Sequence, residues 1–182
     1  LTNSLEATSA HAALASALGA TAAVHLLSLD LSDNRLTGAV GVALASLLAA
    51  RKQRLEELRL SRNALGDTGV RGLSNGLVTN ACLQHLGLGE VGVGPDGVRA
   101  LAASLRTHAT LTSLSLVGNP RLCGPAGCDA LGYLLRHGRA LEHGRDARWC
   151  LAHIYDPEGA LATVGLGSSH ISYPCCCTTT RT

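Results

Sequence analysis

Leu55-Glu56-Glu57-Leu58-Arg59-Leu60-Ser61-Arg62-Asn63-Ala64-Leu65 decides how this chain folds. Its skeleton, Leu-x-x-Leu-x-Leu-x-x-Asn-x-Leu, also stands at Leu26, Leu29, Leu31, Asn34 and Leu36. Leu111, Leu114, Leu116 and Asn119 repeat it without the last leucine. Leu83, Leu86 and Leu88 keep the leucines, with Val91 where asparagine is expected. The starts at 26, 55, 83 and 111 are 29, 28 and 28 residues apart. A leucine pattern at that period is the signature of a solenoid.

The spacing has a physical reading. Leucines two apart share one face of a strand, and the residues between them face the other way. Short strands from successive units then pair in parallel, about 4.8 Å apart. The asparagine follows where the chain turns. Its amide can satisfy turn backbone groups that would otherwise lack partners. Asn34, Asn63 and Asn119 are therefore predicted to form a buried ladder, interrupted at Val91.

The second half of each unit predicts a helix. Val70, Leu73 and Leu77 stand at i, i+3 and i+7, as do Val98, Leu101 and Leu105, and Cys128, Leu131 and Leu135. Leu44, Leu47 and Leu48 serve the first unit, and Pro95-Asp96 is a helix start. A helix is about 10 Å wide and a strand needs about 4.8 Å. Stacking both predicts curvature, with helices outside. Gly94-Pro95-Asp96-Gly97 matches Gly124-Pro125-Ala126-Gly127 at an offset of 30, so two residues are inserted within 119–123. Such an insertion maps to a loop, often on a binding face; a tolerated change of loop length is the alternative.

The pattern frays at both ends. Residues 1–25 read as a truncated repeat, since Ala13–Leu18 resembles Ala43–Leu48. Four repeats follow at 26–54, 55–82, 83–110 and 111–140. Residues 141–167 read as a degenerate repeat or cap, or as the product of a gene-model error. Residues 168–182, with Cys175-Cys176-Cys177, read as a disordered tail. The chain begins with Leu1 and holds no Met, so a fragment of a longer or processed product is expected.

Composition narrows the function. A net charge of +2 points to neither nucleic acid nor an anionic membrane. The uncharged run from Leu36 to Ala50 is too short to span a bilayer. The cysteine number is odd and the spacings suit no zinc site, which predicts free thiols in a reducing compartment. Gly87-Leu88-Gly89-Glu90-Val91-Gly92 has the form of a dinucleotide fingerprint, yet Leu86 and Leu88 are in register with the other units. A P-loop needs a lysine, and the one lysine, Lys52, lies outside such a motif. The histidines form no H-x3-H or H-E-x-x-H pair, and no G-x-S-x-G occurs. No catalytic residue, metal ligand, cofactor or small-molecule substrate is expected.

Residues 55–81 resemble the 28-residue leucine-rich repeat of the ribonuclease-inhibitor type, found in ribonuclease inhibitors, Ran GTPase-activating proteins and NOD-like receptors. The resemblance covers residues 26–140 well and 1–25 in part. It implies an α/β right-handed solenoid, a horseshoe with parallel strands on the concave side and helices on the convex side. It implies a non-catalytic protein-interaction module, a fragment of a larger receptor or scaffold. A Ran-type GTPase activator and a ciliary or cytoskeletal scaffold are the alternatives. A cytoplasmic location is expected, with cilium or cytoskeleton as the alternative.

The strand alternation sends Ser28, Asp30, Glu57, Arg59, His85, Gly87, Ser113 and Ser115 outward, with Ser32, Ser61, Gly89 and Val117 behind them. Interface hot spots favour arginine. Asp30, Glu57, Arg59, Arg62 and His85 are the expected contacts of a protein partner, with Arg59 the anchor.

Overall fold

The computed structural model describes residues 26–50 and 54–137. The readings of 1–25 as a truncated repeat, of 141–167 as a cap and of 168–182 as a tail lie outside the described residues. Within them, strand and helix alternate: β1 (Ser28–Asp30), α1 (Gly38–Ala49), β2 (Glu57–Arg59), α2 (Gly66–Leu77), β3 (His85–Gly87), α3 (Pro95–Leu105), β4 (Ser113–Ser115) and α4 (Pro125–His137). A 3-10 turn over Pro120–Leu122 precedes α4.

The strands form one sheet in the order β1-β2-β3-β4, every pair parallel. Ser28, Glu57, His85 and Ser113 lie side by side in register, as do Asp30, Arg59, Gly87 and Ser115. Between these rows Leu58, Leu86 and Leu114 point into the core and are buried, while Leu29 is half-buried. The ladder runs past the strands: Asp33 N–H donates to Ser61 O, Arg62 to Gly89 O and Glu90 to Val117 O, at 2.7–2.9 Å. Asp33, Arg62, Glu90 and Gly118 hold the same left-handed turn conformation, with φ of 58°, 57°, 54° and 68°.

The helix leucines meet the strand leucines in one core. Leu44, Leu47 and Leu48 of α1, Val70, Leu73 and Leu77 of α2, and Val98, Leu101 and Leu105 of α3 are buried. In α4, Leu131 and Leu134 are buried, whereas Cys128 and Leu135 are half-buried. Helices α1 and α2 approach closely through glycine. A Cβ on Gly41 would collide with the backbone of Gly69, and one on Gly72 would meet Val42 Cα at 2.7 Å. Glycine inside a helix costs about 0.5–1 kcal/mol relative to alanine; here it lets two backbones touch.

The asparagine ladder has a rule that spacing did not convey: each amide serves the turn of the unit before its own. Asn63 Oδ1 accepts from Asn34 N–H and Leu36 N–H at 3.1 and 2.8 Å, and its Nδ2 donates to Leu31 O and Leu60 O. Asn119 repeats this with Val91 N–H, Val93 N–H, Leu88 O and Leu116 O. Both are buried. Asn34 is half-buried rather than buried, and its Nδ2 donates to Ser32 O within its own turn, as Asn63 does to Ser61 O and Asn119 to Val117 O. At the rung between Asn63 and Asn119, Val91 is fully buried and apolar, and toward the second unit its carbonyl accepts from Gly66 N–H at 2.9 Å.

A second ladder runs along the opposite edge. Asn80 Nδ2 donates to Leu48 O at 2.9 Å, and its Oδ1 accepts from Cys82 N–H and Leu83 N–H. One period later His108 takes that place. Its Nδ1 accepts from Leu111 N–H at 3.3 Å, and its buried Nε2 has no partner. Burial pushes the His108 pKa down.

Candidate interaction surface

The face of the sheet turned away from the helices carries the charged residues singled out above. Arg59 and Glu57 are two apart on one strand and so share that face. Glu57 Oε1 accepts from Arg59 Nε at 2.7 Å and lies 2.6 Å from Nη2. Its Oε2 accepts from the Ser28 hydroxyl at 2.9 Å. Both carboxylate oxygens are thus engaged. The Ser28 hydroxyl first, then Arg59, holds the Glu57 pKa below the ordinary carboxylate range, and the neighbouring His85 adds to this.

Asp30 is exposed beside Arg59, and its Oδ1 accepts from Ser32 N–H at 2.9 Å. That backbone bond is the main reason its pKa is lowered. Arg62 is exposed in the turn after β2, with Nε 3.6 Å from Glu90 Oε1. His85 is exposed on β3, in register with Glu57. Asp30, Glu57, Arg59 and His85 therefore gather on neighbouring strands. Arg62 lies beyond the strand end and pairs along the turns instead.

Beside this cluster lies an open trough of about 530 Å³, lined by Glu57, Arg59, Ser61, His85, Leu86, Gly87, Ser113 and Ser115. Small residues create it: Gly87 and Ser115 continue the row of Arg59, and Ser113 continues the row of Glu57. Gly89, expected among the outward positions, is buried. A Cβ there would sit 3.3 Å from both Ser61 Oγ and Val117 O, because the turn closes over it. The trough was not foreseen: missing side chains on two later strands carry no signal when each strand is read alone. In register they form a floor.

The inserted turn of the fourth unit also acquires a role that loop length alone did not suggest. Arg121 reaches back to Asp67 on α2, Nη1 to Oδ2 2.7 Å. Asp67 Oδ1 accepts from Gly94 N–H and Gly97 N–H, at the start of α3, at 2.7 and 2.9 Å. Burial alone would raise the Asp67 pKa; those two N–H groups and Arg121 outweigh it and hold the carboxyl low.

Among the described residues no cluster of three or more His, Cys, Asp or Glu could hold a metal ion. No described helix is long and apolar enough to cross a membrane. Cys82, Cys123 and Cys128 carry no disulfide. The glycines of the Gly87–Gly92 run fall at the end of β3 and in the turn after it, with Leu86 and Leu88 in the shared core.

A family model described as Leucine Rich repeat matches residues 23–45 and 52–74. Among curated proteins, none matches the chain. The two matched repeats fall on the first two strand–helix units, and β3–α3 and β4–α4 continue them in the same parallel stack. The chain thus contains leucine-rich repeats, and its described residues are built as an α/β repeat solenoid.

Proposed function

We propose that this chain is a non-catalytic protein-interaction module of the ribonuclease-inhibitor type, and that it grips its partner with the outer face of the sheet. In this reading the stack continues as a right-handed horseshoe with that face concave, within a larger receptor or scaffold. Its place in this reading is the cytoplasm, a compartment that keeps thiols reduced. The partner is a protein rather than nucleic acid, a membrane or a small substrate.

One observation carries the proposal. Charged Asp30, Glu57 and Arg59 adjoin a polar trough on a rigid sheet whose other side is a leucine core. Rigid, pre-organised polar surfaces are suited to binding, because little ordering remains when a partner arrives. The test is affinity capture from source-cell lysate with the wild type, Gly87→Leu on the sheet face, and the pair Arg71→Glu and Arg99→Glu on the helices. Bound proteins are identified by mass spectrometry. A specific partner lost with Gly87→Leu and kept with the helix pair supports the proposal. The opposite result moves the binding face to the helices.

A further inference from the structure

The trough has a chemical preference, and Gly87 shows that it is kept open. Glycine weakens a strand interior and often marks close approach of a ligand or another backbone. Two ordinary reasons for glycine do not apply at Gly87. It is not among the residues with positive φ. A Cβ there would find Ser61 Oγ at 3.4 Å and Arg59 Cα at 3.6 Å, ordinary contact distances. The fold tolerates a side chain at this position, and the chain leaves it out.

The hydrogen-bond inventory then selects the occupant. Glu57 already accepts bonds at both oxygens. Ser61 Oγ accepts from Gly89 N–H at 3.2 Å and keeps its O–H to donate. A guanidinium has five N–H donors, and Glu57 engages Nε and Nη2 of Arg59. Ser113, Ser115 and His85 add groups able to donate. The trough thus keeps N–H groups of Arg59 and several hydroxyls able to donate, while the carboxylate of Glu57 is already bonded at both oxygens. The pair Arg59–Glu57 is largely exposed on the arginine side, and exposed pairs are weak enough to exchange partners.

We infer that the trough over Gly87 seats an extended acidic segment of the protein partner, with an aspartate or glutamate side chain taken by Arg59 and the Ser61 hydroxyl. This rests on the sheet face being the binding face. A carboxylate suits the fork of arginine better than a neutral amide does, because the bonds are charge-assisted.

The test uses the full chain and two labelled peptides, N-acetylated and C-amidated, one alternating Gly and Glu and the other Gly and Gln. Fluorescence anisotropy reads binding. The Glu peptide should bind about tenfold more tightly than the Gln peptide. Arg59→Gln should abolish that preference. Glu57→Gln should strengthen Glu-peptide binding roughly twofold to fivefold, since it removes the internal competitor. Gly87→Leu should abolish binding of both. Equal affinity of the two peptides, no binding at millimolar peptide, or weakening by Glu57→Gln would each overturn the inference. The lysate capture decides separately whether the sheet face binds protein at all, so the two failures are distinguishable.

Discussion

Arg121 Nη1 lies 2.7 Å from Asp67 Oδ2, joining the inserted turn of the fourth unit to the second helix across the third unit. Asp67 in turn holds the first N–H groups of α3. In a solenoid most contacts join neighbouring repeats only. This bond skips one, and it fixes how three units stack.

Asp67→Ala would leave Gly94 N–H and Gly97 N–H without their acceptor, at a cost of about 1–3 kcal/mol. The loss should depend on pH. The folded pKa of Asp67 is depressed, so its contribution is full above the unfolded carboxyl value near pH ~3.9. It fades as pH falls through the folded value. Urea unfolding of wild type and variant at pH 7 and pH 3 should show the gap shrinking in acid.

Val91→Asn should complete the ladder. Asn63 and Asn119 show what the missing amide would do: accept two turn N–H groups and donate to two leucine carbonyls. The corresponding donors are Asn63 N–H and Leu65 N–H, and Val91 offers them no side-chain acceptor. The exchange is expected to be neutral or to stabilise by about 1 kcal/mol. A thermal melt with a clear fall in midpoint would mean that Val91 makes core contacts that an amide cannot replace.

His108 stands one period after Asn80 but with a ring instead of an amide. Its folded pKa is lowered, so the unfolded chain binds the proton more readily. Stability is retained above the unfolded histidine value near pH ~6.5 and lost as pH falls from there to the folded value. Protonation would also take the Nδ1 lone pair from Leu111 N–H. His108→Asn should flatten the stability profile between pH 7 and pH 5. Parallel profiles for the two proteins would remove His108 as the cause.

The positions that follow from period alone were legible in the sequence. Leu58, Leu86 and Leu114 fall inside, and Pro95 starts α3, because periodicity and proline act locally. The opposite edge was also within reach, since Asn80 and His108 differ by one 28-residue step, but neither belongs to the leucine skeleton. The Arg121–Asp67 bond depends on where an inserted turn is aimed, which no local rule supplies. The trough depends on three strands being read side by side.

Helices α1 and α2 give a packing test. Gly41→Ala places a methyl group into the Gly69 backbone, and Gly72→Ala places one on Val42. Overpacking of a close contact typically costs about 1–3 kcal/mol, against a gain of about 1 kcal/mol in helix propensity. Each variant should therefore be less stable in chemical denaturation. Gly66→Ala serves as the control: its Cβ meets nothing, but φ is +58°, so any loss there comes from backbone strain.

The sheet-face account is tested most directly by comparing two pairs of substitutions against the captured partner. One pair is Glu57→Ala with Arg59→Ala, on the strand face; the other is Arg71→Ala with Arg99→Ala, on the helices. Titration calorimetry measures each dissociation constant. The account predicts that the strand pair weakens binding by about 1–3 kcal/mol and the helix pair leaves it unchanged. Binding that survives the strand pair and fails with the helix pair would contradict it.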